Sequence, residues 1–384
     1  MNARVRCAGS NALRAEFVTG LDRLVRLAPQ WEMLNARASD HDAPFFQSYA
    51  WIRQVIEARA SAPNFRPMVA AIWRGDELVG VWPLALARRG VARLVQSLDD
   101  PFGQFSGIAL RSSADARECV AVVLAALEGE ADGLHLEAVT SGSALHTALR
   151  ERGVRGVPSQ ETVVVDLRPY KTLQEFRQTV GAKTRKNMRN LTNRLRRAHD
   201  VLHSVVTERE ALRSLLQEVY GTRFEWMHRH GRTSPAFRDD GFKRLMQALP
   251  DADDAGLIGF ALRSPDATVS AQWGFTYGRR YYAYMSALNP AFAEFSAGRL
   301  HLGMVIESCI DRGIEVLELM PPAVDYKMEW TDLTRTLETM SASFSFKGRV
   351  MAGVTETVIP AVRRLSRALP EGLRRGLVRR LNKS

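Results

Sequence analysis

The chain has 384 residues, of which 46% are hydrophobic and 25% charged, and this composition is that of a soluble globular protein. Its length allows two domains of ordinary size, and no segment is apolar for long enough to cross a bilayer. Three unclustered cysteines argue against a disulfide framework and against a zinc site, and they suit a reducing compartment. No apolar run follows the first arginines, so we expect no signal peptide and a cytoplasmic protein.

The net charge of +11 is concentrated in two segments. Residues 183–197 include seven Lys or Arg and no acid, and residues 358–384 include eight Lys or Arg against Glu371 alone. The rest of the chain is mildly acidic. This distribution indicates two basic patches and excludes a uniformly cationic protein that coats nucleic acid.

Residues 1–165 are predicted to form a first α/β domain. Residues 48–60 have helical apolar spacing, and two apolar strands at 67–73 and 78–87 flank the turn Arg74-Gly-Asp-Glu77. Further strands are predicted at 93–98, 107–110, 134–139 and 162–167, and further helices at 113–128 and 143–151. No small-residue turn opens a helix in this domain, so we expect it to lack a cofactor site.

Residues 166–350 are predicted to form a second domain that repeats the first. The strands at 257–262 and 268–277 are separated by a polar turn, as in the earlier hairpin. Helices are predicted at 208–228 and 236–249, and a closing strand at 335–346. A duplicated unit accounts for the repeated order.

A basic helix at 183–199 is predicted to bridge the two domains, after a shorter helix that Gly181 interrupts. Met188, Leu191 and Leu195 form a narrow apolar stripe, and basic residues occupy most of the remaining surface. The helix is either a solvated basic face or an electrostatic site for an anionic partner. Such a partner would be the phosphates of CoA, a nucleotide-linked sugar or RNA.

A strand at 280–288 is followed by a small-residue turn that opens a helix. Ser296 is predicted to cap this helix, Gly298 allows close approach of a ligand, and Gly313 ends it before a strand at 314–319. The start of a helix leaves free N–H groups and the positive end of a dipole, which together bind phosphate. The turn is therefore either a pyrophosphate site or the start of an ordinary helix.

Tyr326-Lys327-Met-Glu-Trp330 follows the last of these strands. The order of Ser-x-Gly turn, helix, strand and Tyr-Lys-x-x-Trp resembles the acyl-CoA N-acyltransferase (GNAT) superfamily. Within it, the chain is similar to the cellulose-biosynthesis CelD/BcsL-like acetyltransferases, which are related to the FemABX peptidyltransferases. The resemblance extends from about Phe45 to Trp330 and departs from the family pattern at Glu318 and at Pro321-Pro322. It implies tandem GNAT-like domains with mixed α/β sheets flanked by helices.

The resemblance also implies roles for individual residues in an acyl-CoA-dependent reaction without a metal. Acyl transfer requires a bound thioester, a base for the acceptor and an acid for the leaving sulfur. The implied cofactor-binding residues are Ser296, Ala297, Gly298 and Arg299 for the diphosphate, and Ala287 and Leu288 for the pantetheine arm. The implied catalytic residues are Tyr326 as the acid, Lys327 as an anchor for an anionic substrate, and Glu318 or Asp325 as the base.

A second group of polar residues follows the predicted helix at 208–228. Trp226, His228 and His230 stand close together in sequence, with Arg223 and Arg229 beside them. They are predicted to line a substrate pocket. His-x-His also occurs in metal sites, but no third ligand is apparent, so we do not expect a metal.

Three functions remain open on the sequence. The first is a GNAT acyltransferase that uses acetyl-CoA or another acyl-CoA and acts on an anionic sugar, polysaccharide or envelope precursor. The second is a FemABX-like aminoacyl transferase that uses aminoacyl-tRNA. The third is a non-enzymatic accessory protein of exopolysaccharide assembly. The basic amphipathic tail at 351–384 is expected either to contact the membrane peripherally or to pack on the protein.

Overall fold

The computed structural model describes residues 12–37, 44–62 and 65–353. The chain divides into two compact units that are interleaved in sequence. The first unit is Met1–Ser159, Thr233–Phe242 and Thr336–Ser384, and the second is Gln160–Arg232 and Lys243–Arg335. The contiguous boundaries at 165 and 350 stay a prediction. Residues 354–384, nearly all of the predicted tail, lie outside the described residues, as does Cys7.

Strands and helices are mixed along the chain. The strands are β1 (Leu13–Val18), β2 (Phe65–Pro67), β3 (Val69–Arg74), β4 (Glu77–Trp82), β5 (Leu84–Arg89), β6 (Ala92–Ser97), β7 (Ala109–Leu110), β8 (Gly133–Thr140), β9 (Arg155–Asp166), β10 (Leu202–Val206), β11 (Leu257–Arg263), β12 (Thr268–Tyr277), β13 (Arg280–Leu288), β14 (Val316–Glu318) and β15 (Thr334–Ser343). The helices are α1 (Leu21–Asn35), α2 (Tyr49–Ala58), α3 (Ala116–Leu127), α4 (Ala144–Glu151), α5 (Leu173–Thr179), α6 (Ala182–Ala198), α7 (Arg209–Arg229), α8 (Pro235–Arg238), α9 (Asp240–Ala248), α10 (Ala297–Asp311), α11 (Asp325–Met328) and α12 (Phe346–Gly353).

The first unit contains two sheets. One has the antiparallel order β1-β3-β4-β7, and the other has the order β15-β8-β6-β5-β2, in which β6 and β8 are parallel. The predicted hairpin is confirmed as β3 and β4. The single strand predicted at 78–87 is wrong, because Pro83 divides it into β4 and β5, which belong to different sheets. Proline has no N–H to donate to a continuing ladder, so it marks the point where the chain changes sheet.

The second unit is built on strands in the order β10-β11-β12-β13-β14-β9. Only β13 and β14 are parallel among these, and α10 connects them. The parallel pair β6 and β8 of the first unit is likewise connected through α3. The second predicted hairpin is confirmed as β11 and β12, and Gly181 separates α5 from α6 as predicted.

Helix α10 packs its apolar side on the sheet of the second unit. The buried residues of this core include Tyr281, Leu302, Val305, Ile306 and Leu317. Burying each such side chain stabilises the fold by about 1.5–3 kcal/mol before the entropy cost of ordering it. The start of α10 is thereby fixed at the end of β13, where the candidate site lies.

Candidate functional site

The parallel strands β13 and β14 pair over only three residues and then separate. Arg280, Tyr281 and Tyr282 pair with residues 316–318, and the ladder ends there. Farther along β13, Ala287 and Leu288 pair with β12 on one side. On the side toward β14 they have no strand neighbour within the described ranges. An open strand edge of this kind can pair with an extended ligand through backbone hydrogen bonds.

Helix α10 begins immediately beyond this open edge. A 3₁₀ turn at Pro290–Phe295 leads to Ser296, whose φ is 51°, and α10 starts at Ala297. Ser296 occupies the N-cap position as predicted, but its side chain makes no capping hydrogen bond. Capping serines normally adopt an extended backbone, and the left-handed conformation of Ser296 departs from it.

The first two amide groups of α10 have no acceptor within the described residues; Ala297 is buried and Gly298 is partly exposed. The Ser296 carbonyl accepts from the N–H groups of Arg299 and Leu300, at 3.0 and 3.2 Å. The N–H groups of Ala297 and Gly298 have no acceptor in the part of the chain that the structure describes. A Cβ added at Gly298 would lie 3.9 Å from the Leu288 side chain, so the space before the turn is open. Free amides, a helix dipole and open space together suit a phosphate group.

The Arg299 side chain is engaged within the protein. Its guanidinium forms an ion pair with Glu329, and both side chains are mostly buried. Farther along α10, Trp330 packs so closely that a Cβ at Gly303 would lie 2.7 Å from its ring. These two contacts attach the segment that includes Tyr326 and Lys327 to the first half of α10.

Glu318 ends β14 at the point where the two strands separate. Its carboxylate is fully buried, and Oε1 accepts hydrogen bonds from Arg280 and Arg335, each at 2.7 Å. Both arginine side chains are also largely buried. The geometry is that of a buried ion-pair centre that holds β13, β14 and the start of β15 together. The other nominated base, Asp325, is exposed at the start of α11.

Tyr326 and Lys327 occupy different environments although they are adjacent. The Tyr326 ring is 40% exposed, and partial burial raises the pKa of its hydroxyl, against the opposing charge of Arg223. The Lys327 ammonium is buried and donates hydrogen bonds to the carbonyls of Met320 and Pro322, at 2.7 and 3.1 Å. Burial, followed by the charge of Arg223, lowers the pKa of Lys327 to about 8.

The low pKa of Lys327 predicts a pH dependence of stability. In the unfolded chain the ordinary pKa is 10.5, so between pH 8 and 10.5 the unfolded state binds more protons than the folded state. The stability contribution of Lys327 is therefore complete above pH 10.5 and is lost as the pH falls through 8. Urea unfolding measures the free energy of unfolding of wild type and of Lys327→Met from pH 7 to 10. The value for wild type should rise relative to that for the variant by at most about 1.4 kcal/mol per pH unit. A constant difference would show that the pKa of Lys327 is not lowered.

The basic helix α6 packs beside the turn that opens α10. Its apolar stripe contacts the turn and the helix start through Met188, Leu191 and Leu195, against Phe292, Phe295, Ala297 and Leu300. Arg194 also forms a 2.6 Å ion pair with Glu294 and lies over the Phe295 ring. The exposed side of α6 carries a shallow groove of about 580 Å³, lined by Asn190, Asn193, Arg194 and Arg197. The basic helix α6 and the predicted phosphate-binding turn at the start of α10 are therefore neighbours in the second unit.

The end of α7 brings together some of the predicted pocket residues. Arg223 and His230 both stack on the Trp226 ring, and Arg232, which the sequence did not indicate, lies over the same ring. His228 and Arg229 are exposed near the end of the helix. Within the described residues, no three or more His, Cys, Asp or Glu side chains are placed to hold a metal ion.

Residues 182–328 match the family model described as an acetyltransferase (GNAT) domain. This part of the chain contains β13, the turn, α10, β14 and Tyr326-Lys327, so the resemblance to the GNAT superfamily is confirmed for it. No curated protein sequence matches the chain.

Several solved structures share the fold of the chain. The crystal structure of FemX matches with a TM-score of 0.58 and 11% identity, covering 86% of this chain and 98% of that one. The C-terminal domain of a putative lysylphosphatidylglycerol synthetase from Agrobacterium fabrum matches with a TM-score of 0.53 and 11% identity, covering 83% and 92%. L-PGS from Bacillus licheniformis matches with a TM-score of 0.51 and 13% identity, covering 88% and 96%. The predicted FemABX-like α/β fold, with mixed sheets flanked by helices, is confirmed.

None of the helices in the described ranges is both long enough and apolar enough to span a bilayer.

Proposed function

We propose that the chain is an acyl-CoA-dependent acyltransferase of the CelD/BcsL-like type. It would transfer an acyl group, such as acetyl, to an amino or hydroxyl group of a sugar, polysaccharide or cell-envelope precursor in the cytoplasm. The observation that carries this proposal is the start of α10, where the amides of Ala297 and Gly298 have no acceptor within the described residues and Gly298 is partly exposed, next to the open edge of β13. A helix start beside an unpaired strand edge suits a ligand with a diphosphate and an extended amide-bearing arm.

The residues of this site fit an acyl-CoA, and each would have a defined task. The amides of Ala297 and Gly298 would hold the diphosphate, and the left-handed Ser296 would shape the turn around it. The backbone of Ala287 and Leu288 would pair with the pantetheine arm. Acyl-CoA, when bound, supplies a thioester activated toward attack by an amine or alcohol. Arg299 would act on the turn indirectly, since its guanidinium is paired with Glu329.

Proton transfer would be divided between two side chains of α11. The Tyr326 hydroxyl accepts no hydrogen bond from the residues that the structure describes, and its raised pKa keeps it protonated at neutral pH. Tyr326 would therefore deliver a proton from Oη to the leaving atom. Asp325 is the nominated base that reaches solvent, whereas the Glu318 carboxylate is committed to two arginines. Lys327 would fix the loop at Met320 and Pro322 and add positive charge for an anionic substrate.

Tyr326→Phe tests this assignment through the chemical step. Removal of the proton donor should lower kcat by roughly 10²–10⁴-fold with little change in KM. Thiol release from acetyl-CoA with an amino-sugar acceptor measures both constants. Tyr170→Phe is the matched control, because the Tyr170 ring packs on Phe176 and has no proposed role. Equal rates in Tyr326→Phe and wild type would make Tyr326 a packing residue.

The basic helix favours a second candidate function. Lys186, Arg189 and Arg197 are exposed on α6 and form no ion pair within the described ranges, beside the turn that opens α10. This surface would suit the backbone of an RNA, as an aminoacyl transferase using aminoacyl-tRNA would require. The third candidate, a non-enzymatic accessory protein held at the membrane, depends on the tail at 351–384. Residues 354–384 lie outside the described residues, and no observed contact favours this candidate.

A further inference from the structure

A cluster of cations at the end of α7 is built around one indole ring. The guanidinium carbons of Arg223 and Arg232 lie 4.8 and 5.3 Å from the centroid of Trp226. The His230 ring stacks on the same indole at 4.6 Å, and its Nδ1 lies 2.8 Å from the Trp226 carbonyl. Stacking on an aromatic face holds a guanidinium in a fixed orientation and leaves its N–H groups free to donate.

Neither of these guanidinium groups has an acidic partner in the part of the chain that the structure describes. Several arginines elsewhere in the second unit do have such a partner, for example Arg213 with Asp251, Arg279 with Glu315 and Arg280 with Glu318. Partial desolvation lowers the pKa of Arg223, and the neighbouring charge of Arg232 lowers it further, against the influence of Tyr326. Two like charges that share one ring repel each other, and a bound anion would remove that repulsion.

The cluster adjoins the residues proposed to act on the substrate. Arg223 is close enough to influence the pKa of both Tyr326 and Lys327. Lys327 itself is buried, and its ammonium is held by the carbonyls of Met320 and Pro322. The charge of Arg223 therefore acts on the region of Tyr326 and Lys327, at α7 and α11.

We infer that Arg223 and Arg232 form an anion subsite for the acceptor, and that this acceptor carries a phosphate group. A phosphorylated or nucleotide-linked sugar has this chemistry. A single carboxylate would neutralise one charge, whereas a phosphate or diphosphate matches two guanidinium groups and can bind arginine in a bidentate manner. The assignment of the anion to the acceptor depends on the proposed function, but the binding of the anion does not.

Calorimetry with two probes tests the subsite directly. Inorganic pyrophosphate reports on phosphate binding alone, and UDP-N-acetylglucosamine reports on a nucleotide-linked sugar. Both titrations use the full chain with Gly298→Glu, so that the turn at the start of α10 cannot supply the binding. In this background, Arg223→Gln and Arg232→Gln should each raise the Kd by about tenfold or more, the range for loss of a charged hydrogen bond.

Arg229→Gln in the same background is the matched control. It removes the same charge from the end of the same helix, but Arg229 does not stack on Trp226, so the Kd should stay unchanged. Thermal melting establishes that all variants are folded. The inference is wrong if neither probe binds, if the two cluster variants bind as tightly as their parent, or if Arg229→Gln weakens binding equally.

A separate titration of wild type with acetyl-CoA distinguishes failure of the proposed function from failure of the anion subsite. If acetyl-CoA fails to bind while the probes bind through Arg223 and Arg232, the proposed function is wrong and the subsite stands. If acetyl-CoA binds while the probes do not, the donor site stands and the subsite is wrong.

Discussion

Gly298→Glu is expected to abolish acetyl-CoA binding while the protein stays folded. The nearest atoms to a Cβ at this position are 3.9 Å away on Leu288, so the fold has room for a side chain. An acidic residue in the first turn of a helix is also favourable for the helix itself. The same carboxylate would occupy the space before the amides of Ala297 and Gly298 and would repel a diphosphate. Calorimetry gives the affinity, and thermal melting gives the stability.

Two further variants make this result specific. Gly129→Glu places the same side chain in open space in the first unit and should leave the affinity unchanged. Gly298→Ala adds only a methyl group and improves helix propensity by about 1 kcal/mol, so any loss of affinity in it reports close approach of the ligand. Wild-type affinity in a folded Gly298→Glu protein would remove the turn from the donor site.

Glu318→Ala is expected to have the largest effect on stability. The substitution leaves the buried guanidinium groups of Arg280 and Arg335 without their carboxylate. Removing one partner from a buried ion pair costs about 3–5 kcal/mol. The free energy of unfolding, measured by urea titration, should fall by that amount.

Glu315→Ala is the control for this measurement. Glu315 forms a 2.7 Å ion pair with Arg279 just before the same strand, but both side chains are exposed, so the expected change is about 0–1 kcal/mol. A similarly small loss in Glu318→Ala would contradict the structural role of Glu318. A fully stable Glu318→Ala protein with a large fall in kcat would instead restore Glu318 as the general base.

Local patterns in the sequence predicted most of the elements around the site. A run rich in aromatic residues between turn signals predicted β13, and helical spacing with a small-residue turn predicted α10 within a few residues of its ends. These signals are short in range because each depends on a single strand or helix. The strand predicted at 78–87 failed at Pro83, where a missing N–H outweighed the apolar pattern.

The parts of the site that depend on distant contacts were not predictable in this way. Glu318 was nominated as a base because it ends a strand, but its partners Arg280 and Arg335 come from two other strands. Arg299 was assigned to the diphosphate, and its pairing with Glu329 becomes visible only when the closing segment packs on α10. Arg232 lacks any local motif, and only the fold places it over Trp226. The left-handed backbone of Ser296 likewise follows from the 3₁₀ turn before it.

The central claim, that the second unit binds an acyl-CoA, is tested most directly by calorimetric titration of acetyl-CoA into the full chain. We predict saturable binding of acetyl-CoA at one site, with an affinity that does not change when deacylated tRNA is added to the protein solution. Binding of tRNA without any binding of acetyl-CoA would contradict the claim and would support aminoacyl transfer.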